Sequence, residues 1–127
     1  IARGEINEQE LKIIHNKMET LLGQDGAYVD AIYYCPHHPD SGYTGEIKAL
    51  KIKCNCRKPN TGLVERAVKD FNIDLSKSFI IGDTDLDEKL ASNLGIPFYL
   101  TNDNCDLLDC VESELKNEKS RSLRRIN

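Results

Sequence analysis

The sequence predicts an α/β fold, a parallel sheet with helices on both faces. Three observations predict it. Helix-like and strand-like segments alternate along most of the chain. A short apolar run at 78–81, bounded by Lys77 and Gly82, suits a buried parallel strand, and 97–100 reads as another. The first run ends in Gly82-Asp83, and open α/β sheets bind ligands at the carboxyl ends of their strands.

The elements follow in order. Asn7 with Glu10 three residues on is a capping pair for a first helix. Leu11, Ile14, Met18 and Leu21 recur at helical spacing, and Gly23 is the expected stop. The turn Gln24-Asp25-Gly26 leads to 29–34, a segment rich in β-formers. Residues 39–45 are turn-rich. Pro59 favours an extended backbone at Lys58, and Asn60 or Thr61 can cap a helix whose apolar face holds Leu63, Val64, Ala67, Val68 and Phe71. After the strand at 78–81, residues 85–94 read as a helix closed by Gly95. Beyond Thr101 the chain is polar and acidic, with a short helix at 107–115 and a flexible tail from about 116 to 127.

The 127 residues suit one domain with one core. Hydrophobic residues make up 39% and charged ones 30%, ordinary for a soluble protein, and no apolar run is long enough to span a bilayer. The formal charge of −4 argues against nucleic acid or an anionic membrane as partner. An anionic substrate would need a local basic patch. Lys48, Lys51, Lys53, Arg57 and Lys58 supply one, while Arg121, Arg124 and Arg125 read as a solvated tail.

Cys35, His37, Cys54 and Cys56 form two short clamps, C-x-H and C-x-C. These are soft donors that suit a tetrahedral zinc ion, and four protein ligands make such a site structural. Buried cysteines can also be inert small hydrophobes. Here three of five cysteines fall in the clamps, amid polar residues such as Lys53, Asn55 and Arg57. A disulfide framework is the competing reading. The odd cysteine count and the lack of a secretion signal favour reduced thiols and a cytoplasmic location. His38 is a weaker candidate ligand, and Cys105 and Cys110 read as spare thiols. The clamp ends directly before Arg57 and Lys58, so a metal there would also direct two cationic side chains.

Asp83, Asp85 and Asp87 crowd the end of the 78–81 strand. Asp85 and Asp87 also suit the first turn of a helix, where the dipole favours anions. Asp83 sits at the strand mouth, and a hard cation such as magnesium is its natural partner. Asp87 is a further candidate for supporting that ion. An EF-hand is excluded, because no glycine turn and no closing glutamate follow. Carboxylate-held magnesium beside Arg57 and Lys58 would neutralise phosphate oxygens during phosphoryl transfer.

Ile1-Ala2-Arg3-Gly4, then Ile32-Tyr33-Tyr34-Cys35-Pro36-His37-His38-Pro39, then Cys54-x-Cys56-Arg57-Lys58-Pro59, then Gly82-Asp83 with Asp87 resemble the haloacid dehalogenase superfamily. Within it the sequence is similar to the zinc-containing D-glycero-D-manno-heptose 1,7-bisphosphate phosphatases and their sister group, the histidinol-phosphate phosphatases. The resemblance implies a Rossmann-like fold with a zinc-binding loop inserted at 35–58, and a phosphoric monoester hydrolase using magnesium on a phosphorylated sugar. It implies that Lys58 holds the transferring phosphoryl group, Arg57 binds substrate, and Asp83 binds magnesium. Asp87 would support that ion or the lysine, and Cys35, His37, Cys54 and Cys56 would bind structural zinc. Family members that carry a lysine after the strand-end aspartate use it near the substrate, and this chain has Thr84 there.

The family nucleophile is an aspartate in a D-x-D-G-T-like element, and this sequence has no such element. Asp83-Thr84-Asp85 follows a strand, but Leu86-Asp87 stands where Gly-Thr is expected. The expectation is a C-terminal portion of a phosphatase, with the first strands and the nucleophile upstream. Such a chain would be inactive and poorly stable alone. Two other functions compete: a non-catalytic, zinc-stabilised binding module, and a zinc-ribbon nucleic-acid binder, which the net charge and scarce aromatics disfavour.

Overall fold

A computed structural model describes residues 6–37 and 54–126. Ile1-Ala2-Arg3-Gly4, His38 and the loop 39–53, with its Tyr43, Glu46, Lys48, Lys51 and Lys53, lie outside the described residues, as do the side chains of Arg124 and Arg125. The chain divides into two compact units, Ile1–Arg57 and Lys58–Asn127.

Among its described residues the first unit holds one helix, α1 (Glu8–Gln24). Its start is the expected one: the Asn7 Oδ1 atom accepts from Glu10 N–H at 2.8 Å, and Glu10 Oε2 accepts from Asn7 N–H at 2.9 Å. Its end is not. The helix runs through Gly23 to Gln24, and Asp25 caps it. The residue with positive φ is Gly26, at 74°, so the glycine that the turn requires lies three positions later. No residue of α1 is buried. Residues 29–34, expected as a strand, take no regular structure. β-Formers become a strand only against a ladder partner, and the described residues of this unit offer none.

The second unit is a parallel β-α-β core with flanking helices. Helix α2 (Gly62–Phe71) follows Thr61, whose backbone carbonyl accepts from Glu65 N–H at 2.9 Å; Asn72 ends it in the left-handed conformation, φ 53°. A 3-10 turn at Leu75–Lys77, absent from the sequence reading, is held by Asp74, whose Oδ1 accepts from Ser76 N–H at 2.9 Å. Strand β1 (Ile80–Gly82) pairs in parallel with β2 (Phe98–Leu100), with Ile80 opposite Phe98 and Gly82 opposite Leu100. Helix α3 (Asp85–Leu94) connects them, ends at Gly95 as expected (φ 69°), and packs against both strands. Parallel strands need such a crossover. The ladder is extended by Ile80 N–H to Pro97 O at 3.0 Å and Thr101 N–H to Gly82 O at 2.9 Å. Leu90 and Ala91 on α3 and Cys110 on α4 are buried.

Helix α4 (Leu107–Ile126) is longer than expected and takes in residues 116–126, which the sequence reading left as a tail. A polar tie to β2 explains part of this. Tyr99 donates its hydroxyl hydrogen to Glu114 Oε2 at 2.5 Å, and Arg121 donates to Glu114 Oε1 at 2.5 Å. Asn117 donates to the Tyr99 hydroxyl at 2.9 Å. Arg121 therefore pairs with a buried carboxylate rather than fraying in solvent. Burial and the Glu114 carboxylate both push the Tyr99 phenol above its usual range. Tyr99→Phe removes one donor from a buried acceptor and is expected to cost about 1–2 kcal/mol. Urea unfolding of the two proteins measures it, and an unchanged midpoint would refute the tie.

Candidate functional site

Among the described residues, each unit assembles a group of candidate site residues. In the first, the two clamps converge. Cys35 Sγ lies 3.4 Å from Cys54 Sγ and 2.8 Å from Cys56 Sγ, and Cys54 and Cys56 are 3.2 Å apart. His37 Nδ1 is 3.3 Å from Cys56 Sγ and 3.7 Å from Cys35 Sγ. All four donor atoms lie within 4.8 Å of one another, and all four residues are half-buried. No other group of three or more His, Cys, Asp or Glu donors converges in this way among the described residues.

The donor chemistry fits a soft divalent ion. Three sulfurs this close cannot all ionise without a cation. Burial pushes the Cys54 thiol up, but hydrogen bonds from Cys56 and Cys35 outweigh it and bring it down to about 6. Burial, with the hydrogen bonds to Cys35 and Cys54, pushes Cys56 up to about 12. One thiol ionises at the expense of another, the behaviour of a shared proton. A divalent ion would remove the conflict, because each cysteine could then bind as thiolate. Arg57 donates from Nη1 to the His37 carbonyl at 3.4 Å, which ties the cation after the clamp to the clamp's other half.

In the second unit the site is built on the carboxyl end of β1. Gly82 gives way to Asp83, and Thr84 caps α3: its hydroxyl oxygen accepts from Asp87 N–H at 3.4 Å. Asp87 returns the bond. Its Oδ2 accepts from Thr84 Oγ1 at 2.8 Å, Thr84 N–H at 3.1 Å and Asp83 N–H at 3.2 Å. Its Oδ1 accepts from Lys58 Nζ at 2.5 Å. Asp87 is 7% exposed, and four donors surround its carboxylate. Burial alone would raise the Asp87 pKa, but the hydrogen bonds from Lys58 and Thr84 prevail and hold it below the usual carboxylate range.

Gly82 allows this arrangement through close approach rather than an unusual dihedral. A Cβ at Gly82 would lie 2.5 Å from Asp87 Cγ and 2.6 Å from Oδ2. The bare backbone lets the carboxylate fold back over the strand end.

The sequence-predicted residues therefore separate in role. Lys58 and Asp87 meet. Asp83 sits at the strand mouth, its side chain exposed and its backbone N–H given to Asp87. Asp83, Asp85 and Asp87 do not form a three-ligand cage, because Asp87 turns inward while Asp85 is exposed on the first turn of α3. Thr84 carries a function that the sequence reading missed. The signal was present: Thr followed three residues on by an acid is a capping-box pattern.

Known proteins resemble much of this chain. Residues 55–108 match the family model described as HAD-hydrolase-like. The chain is 39% identical over 101 residues to a probable D-glycero-D-manno-heptose-1,7-bisphosphate 7-phosphatase of Thermoplasma acidophilum, covering 79% of this chain and 56% of that one. It is 40% identical over 97 residues to the D-glycero-beta-D-manno-heptose-1,7-bisphosphate 7-phosphatase of Haemophilus ducreyi, 76% of this chain and 50% of that one. The crystal structure of the D,D-heptose 1,7-bisphosphate phosphatase of B. bronchiseptica, complexed with magnesium and phosphate, superposes with a TM-score of 0.64 at 35% identity, over 78% of this chain and 49% of that one. Over residues 55–108 the chain resembles the haloacid dehalogenase-like hydrolases. Within that class it is a homologue of the heptose-1,7-bisphosphate phosphatases, and it spans about half the length of the curated relatives it matches.

Because Asp87 has a depressed pKa in the folded chain, its bonds contribute stability above the unfolded carboxyl value of about 3.9. That contribution is lost as pH falls through the lower folded value. Lys58 is half-exposed, with its side chain 46% accessible, so solvent screens the ion pair. Asp87→Asn is expected to cost about 1–2 kcal/mol at pH 7. The difference from the unsubstituted protein should shrink steadily below about pH 4. Thermal melts across pH measure this, and a gap that persists undiminished at acid pH would refute it.

Proposed function

We propose that this chain carries the metal clamp and phosphate-binding rim of a magnesium-dependent phosphatase. Its substrate is a sugar bisphosphate, D-glycero-D-manno-heptose 1,7-bisphosphate before any other. One observation carries the reading. Lys58, the cation directly after the clamp, is anchored by Asp87 at the strand end that also presents Asp83. A phosphoryl group bound there meets an ammonium held in place and an exposed carboxylate suited to a hard cation. The relatives' names supply the substrate, and the neighbour's bound magnesium and phosphate support the ion and the group.

In this reading Cys35, His37, Cys54 and Cys56 hold zinc, which stiffens the segment leading into Arg57 and Lys58. Arg57 binds a second anionic part of the substrate, where its planar fork gives directional hydrogen bonds. Lys58 neutralises the transferring phosphoryl group, and Asp87 positions Lys58. Asp83 is the carboxylate offered to magnesium, which when bound neutralises phosphate oxygens. The nucleophile is an aspartate outside these 127 residues, so the chain by itself releases no phosphate. Among the described residues no helix is long and apolar enough to cross a membrane. A thiolate clamp also suits a reducing compartment, and we place the protein in the cytoplasm.

Binding tests this without turnover. Calorimetry with magnesium present should show heptose 1,7-bisphosphate bound more tightly than histidinol phosphate. Lys58→Ala should weaken the bisphosphate by about tenfold or more, the scale of a charge-assisted contact. Equal affinity of the two Lys58 forms would overturn the role of Lys58, and preference for histidinol phosphate would reassign the substrate. Zinc is tested separately. Elemental analysis should find one zinc per chain, removed by Cys54→Ser and retained by Lys58→Ala; an unsubstituted protein purified without zinc would refute the clamp.

A further inference from the structure

Cys105 and Cys110, which the sequence alone left as spare thiols, are brought together by the start of α4. Their Sγ atoms lie 4.0 Å apart. Asp106 caps the helix: its Oδ1 accepts from Asp109 N–H at 2.9 Å, and its own N–H donates to Asp109 Oδ2 at 3.1 Å. Cys105 thus stands just before the cap and Cys110 on the fourth residue inside. Helices often pack two apolar side chains against each other at these positions, which fixes how the chain enters. Any pair of apolar residues would do that. Two cysteines bring a second capacity, because the same packing holds two sulfurs in register.

The pair is also asymmetric. Cys110 is 1% exposed, with its thiol directed at the Leu100 carbonyl, 3.5 Å away. Cys105 is half-exposed. One reachable thiol beside one sheltered thiol is the arrangement in which the first reacts and the second resolves. Cys105 precedes the helix, so its side chain can rotate toward Cys110 without unwinding a turn. Closure must shorten the separation to about 2.05 Å.

We infer that Cys105 and Cys110 form a thiol–disulfide site that reacts with a low-molecular-weight disulfide such as oxidised glutathione. The Cys105 thiolate attacks one sulfur of that disulfide, releasing one glutathione thiolate and leaving a mixed disulfide on Cys105. The Cys110 thiolate then attacks the Cys105 sulfur and expels the second glutathione. The two cysteine protons end on the two glutathione thiols. Two protein thiols are oxidised, and one glutathione disulfide is reduced. The bond would lock the 102–105 turn onto α4. That turn is tied to the phosphate-binding rim: Thr101 donates from Oγ1 to the Cys105 carbonyl at 3.0 Å and from its N–H to the Gly82 carbonyl at 2.9 Å.

The experiment uses the full chain in glutathione buffers of graded ratio, followed by acid quench, alkylation and tryptic digestion. The peptide 90–116 contains Cys105 and Cys110 and no other cysteine, so the clamp thiols cannot confuse the result. It should escape alkylation, weigh two hydrogens less, and return to the doubly alkylated form with dithiothreitol. Half-oxidation should need about tenfold less glutathione disulfide than in urea-unfolded chain, because folding holds the sulfurs together. Cys105→Ser should abolish the linked form. Three results would each overturn the site: a doubly alkylated peptide at every ratio, a stable mixed disulfide on Cys105 with Cys110 alkylated, or equal oxidation in folded and unfolded chain.

Discussion

The second unit depends on the carboxylate of Asp87. It is buried, it is negative, and it is kept so by four donors arranged around its two oxygens. A buried carboxylate without partners would protonate or destabilise the fold. Here the partners come from three places: the end of β1, the cap of α3, and the residue at which the unit begins. One group therefore closes the strand-to-helix turn and holds Lys58. Gly82 is the condition for it, since any side chain there would occupy the carboxylate's space. The same constraint explains why Asp83 is left outward: its backbone is committed inward while its side chain faces solvent.

The clamp of the first unit solves a similar problem with different chemistry. Three sulfurs and an imidazole are gathered on segments with almost no regular structure, and the described part of this unit has no buried helical residue. Hydrophobic burial does little to fix that geometry. A tetrahedral ion bound there would supply what packing does not, since metal affinity becomes folding free energy. The two devices adjoin in sequence, with Cys56 ending one and Lys58 beginning the other. The intervening Arg57 is tied back to the His37 carbonyl.

Much of this was legible in the residues. The capping box of α1, the extent of α3 and its Gly95 stop, and the two strands followed from local patterns whose physics is local. The four clamp residues followed from donor type and spacing. The parts that were not legible depend on partners distant in sequence. The segment 29–34 has strand-like composition but no ladder, and composition cannot report a missing neighbour. The end of α4 was misread because Arg121 looks solvated until Glu114 and Tyr99 are placed beside it. Asp87 reads as helix decoration, a support for a metal or a support for the lysine, and only the arrival of Lys58 from twenty-nine residues away favours the last. Cys105 and Cys110 read as spare thiols even with a helix expected from 107, because the sequence does not show that the helix start brings the two sulfurs together.

The most direct measurement is an NMR titration of the side-chain carboxyl carbons, with the Asp87 signal followed in the unsubstituted chain and in Lys58→Met. The structure requires Asp87 to titrate below the usual value of about 3.9, and to move upward when the ammonium is removed. An Asp87 that titrates at or above that value, or one that Lys58→Met leaves unmoved, would mean that the lysine is not held there and that the proposed phosphate-binding rim is not built as described.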